Sequence, residues 1–166
     1  MSTFAKASLE VKVCGITRLR DARKALSLGA NYLGFITYED SPRFVDRETI
    51  SALFSEINRK DFKKVLVDVN PSLEKLKEFE SLGFDFFQLH FAHDLDLGRL
   101  QEWRDVLGEK LWLAPKLPPE TVFPENLLNY SNYFLIDAYA KNKFGGTGLQ
   151  SDWGMYAKCK ESFPDK

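Results

Sequence analysis

The chain has 166 residues, 44% of them hydrophobic and 14% aromatic, which is typical of one globular domain with a substantial core. Lys and Arg (23) nearly balance Asp and Glu (24), and basic residues form no stripe, so the charge favours neither a nucleic-acid nor a membrane partner. We therefore expect a small-molecule partner. No apolar run has the length of a membrane span and residues 1–6 do not resemble a signal peptide, so we expect a cytoplasmic protein.

Short β-branched or aromatic runs alternate with amphipathic segments along nearly the whole chain. The predicted strands are 11–16, 32–36, 64–69, 86–90, 111–114 and 133–138. The predicted helices are 20–28, 47–57 with Asp46 as its cap, one that begins at Pro71 and ends before Gly83, 97–107, a weaker one at 126–130 and a last segment at 152–163. Strands that alternate with helices indicate an α/β fold with a parallel sheet.

The turns between helix and strand favour a barrel over an open sheet. Gly29-Ala30-Asn31 and Gly83-Phe84-Asp85 repeat the same turn, and the first strand is not followed by the GxGxxG of a dinucleotide-binding sheet. The sequence thus predicts a single TIM (β/α) barrel domain over residues 1–166. A TIM barrel has eight βα units and only about six are visible here, so units seven and eight are expected to be missing from this chain.

Chemically active side chains close the predicted strands. Catalytic groups of βα barrels collect at the C-terminal ends of the strands, so these side chains are expected to share one rim. They are Cys14 after strand one, Arg43 in the loop after strand two, Asp68 and Asn70 at strand three, Gln88 and His90 at strand four, and Asp137 at strand six. The two cysteines, Cys14 and Cys159, have no CxxC partner and are predicted to be free thiols.

Ordered motifs run from about Val11 to Trp153. The segments 12–17, 29–35 and 41–45 are similar to the patterns KxCGxT, GADxxGF and SPR(Y/F)V, and they are followed by Val69-Asn70, Gln88-Leu89-His90, Leu135-Ile136-Asp137, the glycine-rich loop 144–148 and Asp152-Trp153. Together these segments resemble the phosphoribosylanthranilate isomerase family of tryptophan biosynthesis.

The resemblance implies the Amadori rearrangement of N-(5'-phosphoribosyl)anthranilate to 1-(2-carboxyphenylamino)-1-deoxyribulose 5-phosphate. By similarity, Asp137 is the general acid that opens the sugar ring and Cys14 is the general base that takes the C2' proton. An acid near neutral pH must keep its proton and a sulfur base must lose its own, so the two sites need opposite environments. No metal or organic cofactor is implied.

The resemblance also implies substrate contacts. Arg43 is expected to hold the anthranilate carboxylate, because its planar guanidinium offers two parallel donors. His90 is expected to contact the substrate or to make a structural hydrogen bond, while Gly145 and Gly146 belong to a loop expected to cover the substrate. The chain is expected to act as a monomer or a homodimer.

Two features depart from the family pattern. Phe91-Ala92 follows Gln88-Leu89-His90 where the family usually has glycine and an acidic residue, and Asp68 replaces a usually apolar residue. The phosphate-binding loops after strands seven and eight are expected to be missing as well.

The alternatives left open are another phosphosugar-barrel isomerase or synthase, and a truncated, non-catalytic barrel fragment that serves as a binding or structural module.

Overall fold

The structure is a computed structural model that describes residues 9–57, 59–92, 94–141, 144, 148, 150–151 and 153–165. The chain divides into two compact units, Met1–Val65 and Leu66–Lys166. Strand β3 begins in the first unit and ends in the second.

The first unit alternates strands and helices in chain order. It contains β1 (Lys12–Cys14), α1 (Leu19–Ser27), β2 (Tyr32–Ile36), α2 (Arg47–Glu56) and the first residues of β3 (Lys63–Val69). β1 pairs with β2 in parallel, in a register that sets Cys14 opposite Gly34. The Lys63 amide donates to the Asn31 carbonyl at 2.8 Å, where β3 begins.

The helices of this unit lie where capping and apolar spacing predict them. The Asp46 side chain accepts the Thr49 amide at 2.8 Å, and the hydrogen bonds from Thr49 hold the pKa of Asp46 below its usual value. Ile50 of α2 is fully buried, as are Leu33 and Phe35 of β2. The predicted cap and apolar face of α2 are therefore confirmed.

The second unit continues the alternation. It contains the end of β3, α3 (Leu73–Glu80), β4 (Phe86–Ala92), α4 (Leu97–Leu107), a 3-10 turn (Gly108–Lys110), β5 (Leu111–Lys116), a 3-10 turn (Glu125–Asn129), β6 (Tyr133–Phe134) and α5 (Trp153–Ser162). β4 and β5 pair in parallel, with His90 opposite Ala114, and β5 and β6 also pair in parallel. The predicted α/β class is confirmed, whereas the weak helix predicted at 126–130 is only a 3-10 turn.

β6 is much shorter than the predicted strand 133–138, and Pro115 of β5 explains why. The Leu135 amide donates to the Leu113 carbonyl at 2.9 Å, so residue 113 and its alternate neighbour 115 present their backbone groups to β6. Proline has no amide hydrogen and cannot donate the next bond of the ladder. The chain therefore leaves the sheet after Leu135, and Asp137 lies beyond the paired strand.

Among the residues that the structure describes, no helix combines the length and the apolar character that a bilayer crossing requires.

The stability of the second unit depends on Trp103 of α4. Its fully buried ring packs edge-on against Phe91 of β4, and its indole nitrogen donates to the Pro71 carbonyl at 3.3 Å. We expect Trp103→Ala to lower the free energy of unfolding by about 3–5 kcal/mol through the cavity it leaves. Trp103→Phe keeps a ring and loses mainly the hydrogen bond, at a cost of about 1–2 kcal/mol. Urea unfolding followed by circular dichroism measures both.

The matched control is Trp153→Phe, because Trp153 is 67% exposed. We expect its effect to stay within about 0.5 kcal/mol. Equal losses for Trp103→Ala and the control would contradict this account of the core.

Candidate active site

The thiol of Cys14 lies at the carboxyl end of β1, above a glycine. A β-carbon placed on Gly34, the residue opposite, would lie 2.9 Å from the Cys14 sulfur and 3.1 Å from the Lys12 ammonium nitrogen. The sulfur and the ammonium thus occupy the space over the same residue, and only glycine leaves room for them.

Arg43 is anchored at the same strand end. Its Nη1 donates to the Cys14 carbonyl at 2.7 Å, and the guanidinium lies over Gly15, where a β-carbon would come within 2.5 Å of Nη1. Gly15 also has a φ of +82°, a conformation that side chains rarely adopt. Within the described ranges, only Nη1 of the guanidinium makes a hydrogen bond, so the rest of the exposed fork is available to an anion.

The second unit brings His90 and Asp137 together. His90 is 6% exposed, and its Nδ1 lies 3.8 Å from Oδ2 of Asp137, whose side chain is 48% exposed. On the other side of the ring, His90 Nε2 lies 2.7 Å from the amide nitrogen of the buried Gln88. The solvent-accessible carboxyl group of Asp137 thus lies next to a buried imidazole that Gln88 contacts on its other side.

Lys116 ties down the segment that follows Asp137. Its ammonium donates to the Lys141 carbonyl at 2.7 Å and lies 4.5 Å from the centre of the Phe144 ring. These contacts hold Lys141 and Phe144 near the end of β5. Lys116 therefore supports the position of Asp137 from the end of β5.

Asp68 is structural rather than part of the acid–base pair. Its side chain is 2% exposed, its Oδ2 lies 2.7 Å from the Lys75 ammonium of α3, and its Oδ1 accepts the Val69 amide. A buried carboxylate requires such partners, because burial of an unpaired charge is costly. The departure from the family pattern at Asp68 is thus balanced by Lys75.

The structure does not describe three of the remaining predicted site residues. Gly145 and Gly146 lie outside the described residues, as does Asp152. Cys159 of α5 is a free thiol whose pKa is raised by burial, and it lines one cavity together with Asp137. The described part of the chain brings no three His, Cys, Asp or Glu side chains close enough to hold a metal ion.

Sequence reasoning missed the position of Lys12 beside Cys14 and the contact of Gln88 with His90. Alternate residues of a strand point to the same face, so Lys12 belongs with Cys14 and Gln88 belongs with His90. That period of two was the signal that could have found them. The contact of Lys116 with residues 141–144 had no such signal, because it depends on the path of a loop.

A parallel α/β fold with a thiol, a guanidinium, an imidazole and a carboxyl at or just beyond its strand ends has the architecture of a βα-barrel enzyme. Comparison with known proteins makes this specific. Residues 11–164 match the family model of N-(5'phosphoribosyl)anthranilate (PRA) isomerase, and the chain belongs to that family of tryptophan-biosynthesis isomerases.

Individual relatives agree with the family. An N-(5'-phosphoribosyl)anthranilate isomerase of Aquifex aeolicus is 34% identical over 92% of this chain and 72% of its own length. The crystal structure of phosphoribosyl anthranilate isomerase from Thermus thermophilus is 26% identical, with a TM-score of 0.74 over 95% of this chain and 74% of its own. A structure of monomers generated from the dimeric enzyme of Thermotoga maritima is 29% identical, with a TM-score of 0.64 over 78% and 65%. The predicted TIM-barrel fold and family are confirmed.

The open space above Gly34 generates a direct test. We expect Gly34→Ala to lower kcat/KM by roughly 10- to 100-fold, because a new methyl group would displace the Cys14 sulfur from its place, and misplacement by about 1 Å is that costly. Steady-state kinetics of the isomerisation measure the effect.

Gly98→Ala is the matched control. Its new methyl group meets chiefly the flexible, exposed Asp96 side chain in the first turn of α4. We expect unchanged kinetics and slightly higher stability, by up to about 1 kcal/mol. Equal kinetic losses in the two variants would refute the crowding argument.

Proposed function

We propose that this chain isomerises N-(5'-phosphoribosyl)anthranilate with Cys14 as general base and Asp137 as general acid. The observation that carries the proposal is the placement of the Cys14 sulfur at a strand end, where it shares the space over Gly34 with the Lys12 ammonium, while the Arg43 guanidinium donates to the Cys14 backbone carbonyl. A core thiol needs no cations. A thiol that must become an anion does, because nearby positive charge stabilises the thiolate.

The proposed chemistry is a sequence of proton transfers. Asp137 gives its proton to the ring oxygen of the sugar, the bond between that oxygen and C1' breaks, and the nitrogen lone pair forms a Schiff base at C1'. The Cys14 thiolate then takes the proton from C2', and the electron pair left at C2' yields an enolamine. Loss of the C2' hydroxyl proton and protonation of C1' give the aminoketose, so no electrons leave the substrate.

Arg43 is proposed to bind the anthranilate carboxylate. Its guanidinium is held at one corner by the Cys14 carbonyl, and the remaining nitrogens form a fork that matches a carboxylate. A carboxylate bound there would bring the attached aminosugar close to the Cys14 sulfur. His90, Gly145 and Gly146 remain proposed substrate contacts.

We propose that the substrate is the small-molecule partner and that the chain acts in the cytoplasm as a monomer or a homodimer. The dimeric Thermotoga maritima relative supports the homodimer. The alternatives of another phosphosugar-barrel enzyme and of a non-catalytic module are not favoured by the family and its relatives.

Removal of either proton-transfer group tests the roles. We expect Cys14→Ala and Asp137→Asn each to lower kcat by roughly 100- to 10,000-fold, the usual loss when a general base or acid is removed. Binding of a reduced product analogue, measured by calorimetry, is expected to change little in both variants, because neither side chain is proposed to bind the ground state.

Cys159→Ala is the control for thiol substitution. Cys159 lines the cavity that also contains Asp137 but has no proposed role in proton transfer, so we expect kcat to stay within a few fold of the wild type. Turnover by folded Cys14→Ala or Asp137→Asn protein within a few fold of the wild type would show that the assigned mechanism is wrong.

The role of Arg43 predicts a loss in binding. We expect Arg43→Lys to raise KM roughly 10- to 100-fold, because a single ammonium replaces charge-assisted bonds that the fork makes to the carboxylate. Calorimetry should compare two reduced product analogues, one with and one without the aromatic carboxylate.

In the wild type, removal of the carboxylate should weaken binding, and in Arg43→Lys the same removal should have little further effect. Arg20→Lys is the control, because Arg20 is exposed and pairs with neighbouring Asp21 at 3.4 Å. Equal effects of carboxylate removal in wild type and Arg43→Lys would exclude the proposed contact.

A further inference from the structure

The imidazole of His90 is held between two polar groups that act on opposite ring nitrogens. Gln88 and His90 are alternate residues of β4 and are 4% and 6% exposed. The Gln88 amide nitrogen lies 2.7 Å from His90 Nε2, and Asp137 Oδ2 lies 3.8 Å from His90 Nδ1. The ring is therefore a bridge between a buried amide and the proposed general acid.

The two contacts together select one tautomer of the ring. An amide nitrogen can only donate, so a Gln88 donor requires His90 Nε2 to be the acceptor and leaves the proton of the neutral ring on Nδ1. A carboxyl oxygen of Asp137 lies on the Nδ1 side of the ring and can accept a hydrogen bond, which favours a proton on the same nitrogen. Both neighbours thus point to a ring whose N–H faces Asp137.

Gln88 itself bears a cost that a purely structural residue would avoid. Its side-chain oxygen is buried and accepts no hydrogen bond from the described residues. A buried polar atom without a partner is unfavourable, and an apolar side chain of the same shape would remove the penalty. A role of the amide nitrogen as hydrogen-bond donor to His90 explains why an amide occupies this buried position.

We propose that Gln88 and His90 are positioning residues for the general acid: Gln88 keeps the His90 proton on Nδ1, and that N–H stabilises the Asp137 carboxylate left after proton transfer. This inference rests on the proposed function, because it needs Asp137 as the acid. When Asp137 gives up its proton, the 3.8 Å gap to Nδ1 closes to a charge-assisted hydrogen bond. The bond forms only once charge develops, so it lowers the barrier rather than the free energy of binding.

Two conservative variants of His90 separate the two sides of the ring. The amide of Asn reaches the position of Nδ1, and the amide of Gln reaches the position of Nε2. We expect His90→Gln to lower kcat roughly 10- to 100-fold, the equivalent of one hydrogen bond to a charged group, and His90→Asn to lower kcat by a clearly smaller factor.

The pH profile adds a readout that a packing role would not move. Without the Nδ1 donor, the Asp137 carboxylate is less stable, so Asp137 keeps its proton to higher pH. We expect the high-pH limb of kcat/KM to move upward in His90→Gln and to stay in place in His90→Asn. Equal kinetic losses and unmoved limbs in both variants would overturn the proposal.

The tautomer can be measured without any activity. The sequence contains two histidines, so 15N-histidine labelling gives two sets of ring signals, and His93→Gln leaves that of His90 alone. We expect Nδ1-protonated His90 in the wild type and a shift toward Nε2 protonation in Gln88→Met. An Nε2-protonated ring in the wild type would overturn the inference even if Asp137 is the acid, whereas an active Asp137→Asn protein would refute the proposed function and leave the tautomer result unaffected.

Discussion

The parallel register of β1 against β2 is the constraint on which the chemistry of the first unit depends. It sets Cys14 opposite Gly34, and the space over that glycine receives both the sulfur and the Lys12 ammonium. A one-residue slip of the pairing would place Cys14 opposite a residue with a side chain, and the space over Gly34 that the sulfur and the ammonium share would be lost. The short segment from Lys12 to Gly15 thus combines strand pairing, thiol placement and the anchor for Arg43.

In the second unit, the corresponding constraint is the end of the ladder between β5 and β6. Pro115 cannot supply the next backbone donor, so the chain turns away after Leu135 and leaves Asp137 near solvent and near His90. Lys116, the next residue of β5, then holds residues 141–144 by its ammonium. The end of β5 therefore limits the pairing of β6, so that Asp137 lies outside the sheet. Through Lys116, the same strand end also contacts the chain beyond Asp137.

Much of this could be predicted from the sequence, because the signals are local and periodic. Asp46 caps α2 as expected, β2 has its predicted bounds, the alternation of strands and helices indicated a parallel α/β sheet, and the repeated helix-to-strand turns favoured the barrel. The length of β6 could not be predicted, because its own residues read as a strand and the limit comes from Pro115 on a neighbour. The family resemblance identified Cys14, Arg43 and Asp137, and the period of two along β1 could have placed Lys12 beside Cys14, whereas the pairing of Asp68 with Lys75 depends on side-chain paths that no local pattern encodes.

The central claim is that the Cys14 thiolate is the base. The most direct measurement is the pH dependence of Cys14 alkylation by iodoacetamide in Cys159→Ala protein, compared with the low-pH limb of kcat/KM in the same protein. The thiolate is the form that both alkylates and accepts the C2' proton, so the two midpoints should agree within about half a pH unit, and a reduced product analogue should block alkylation. Midpoints that differ by more than about one pH unit, or alkylation that the analogue does not slow, would contradict the account.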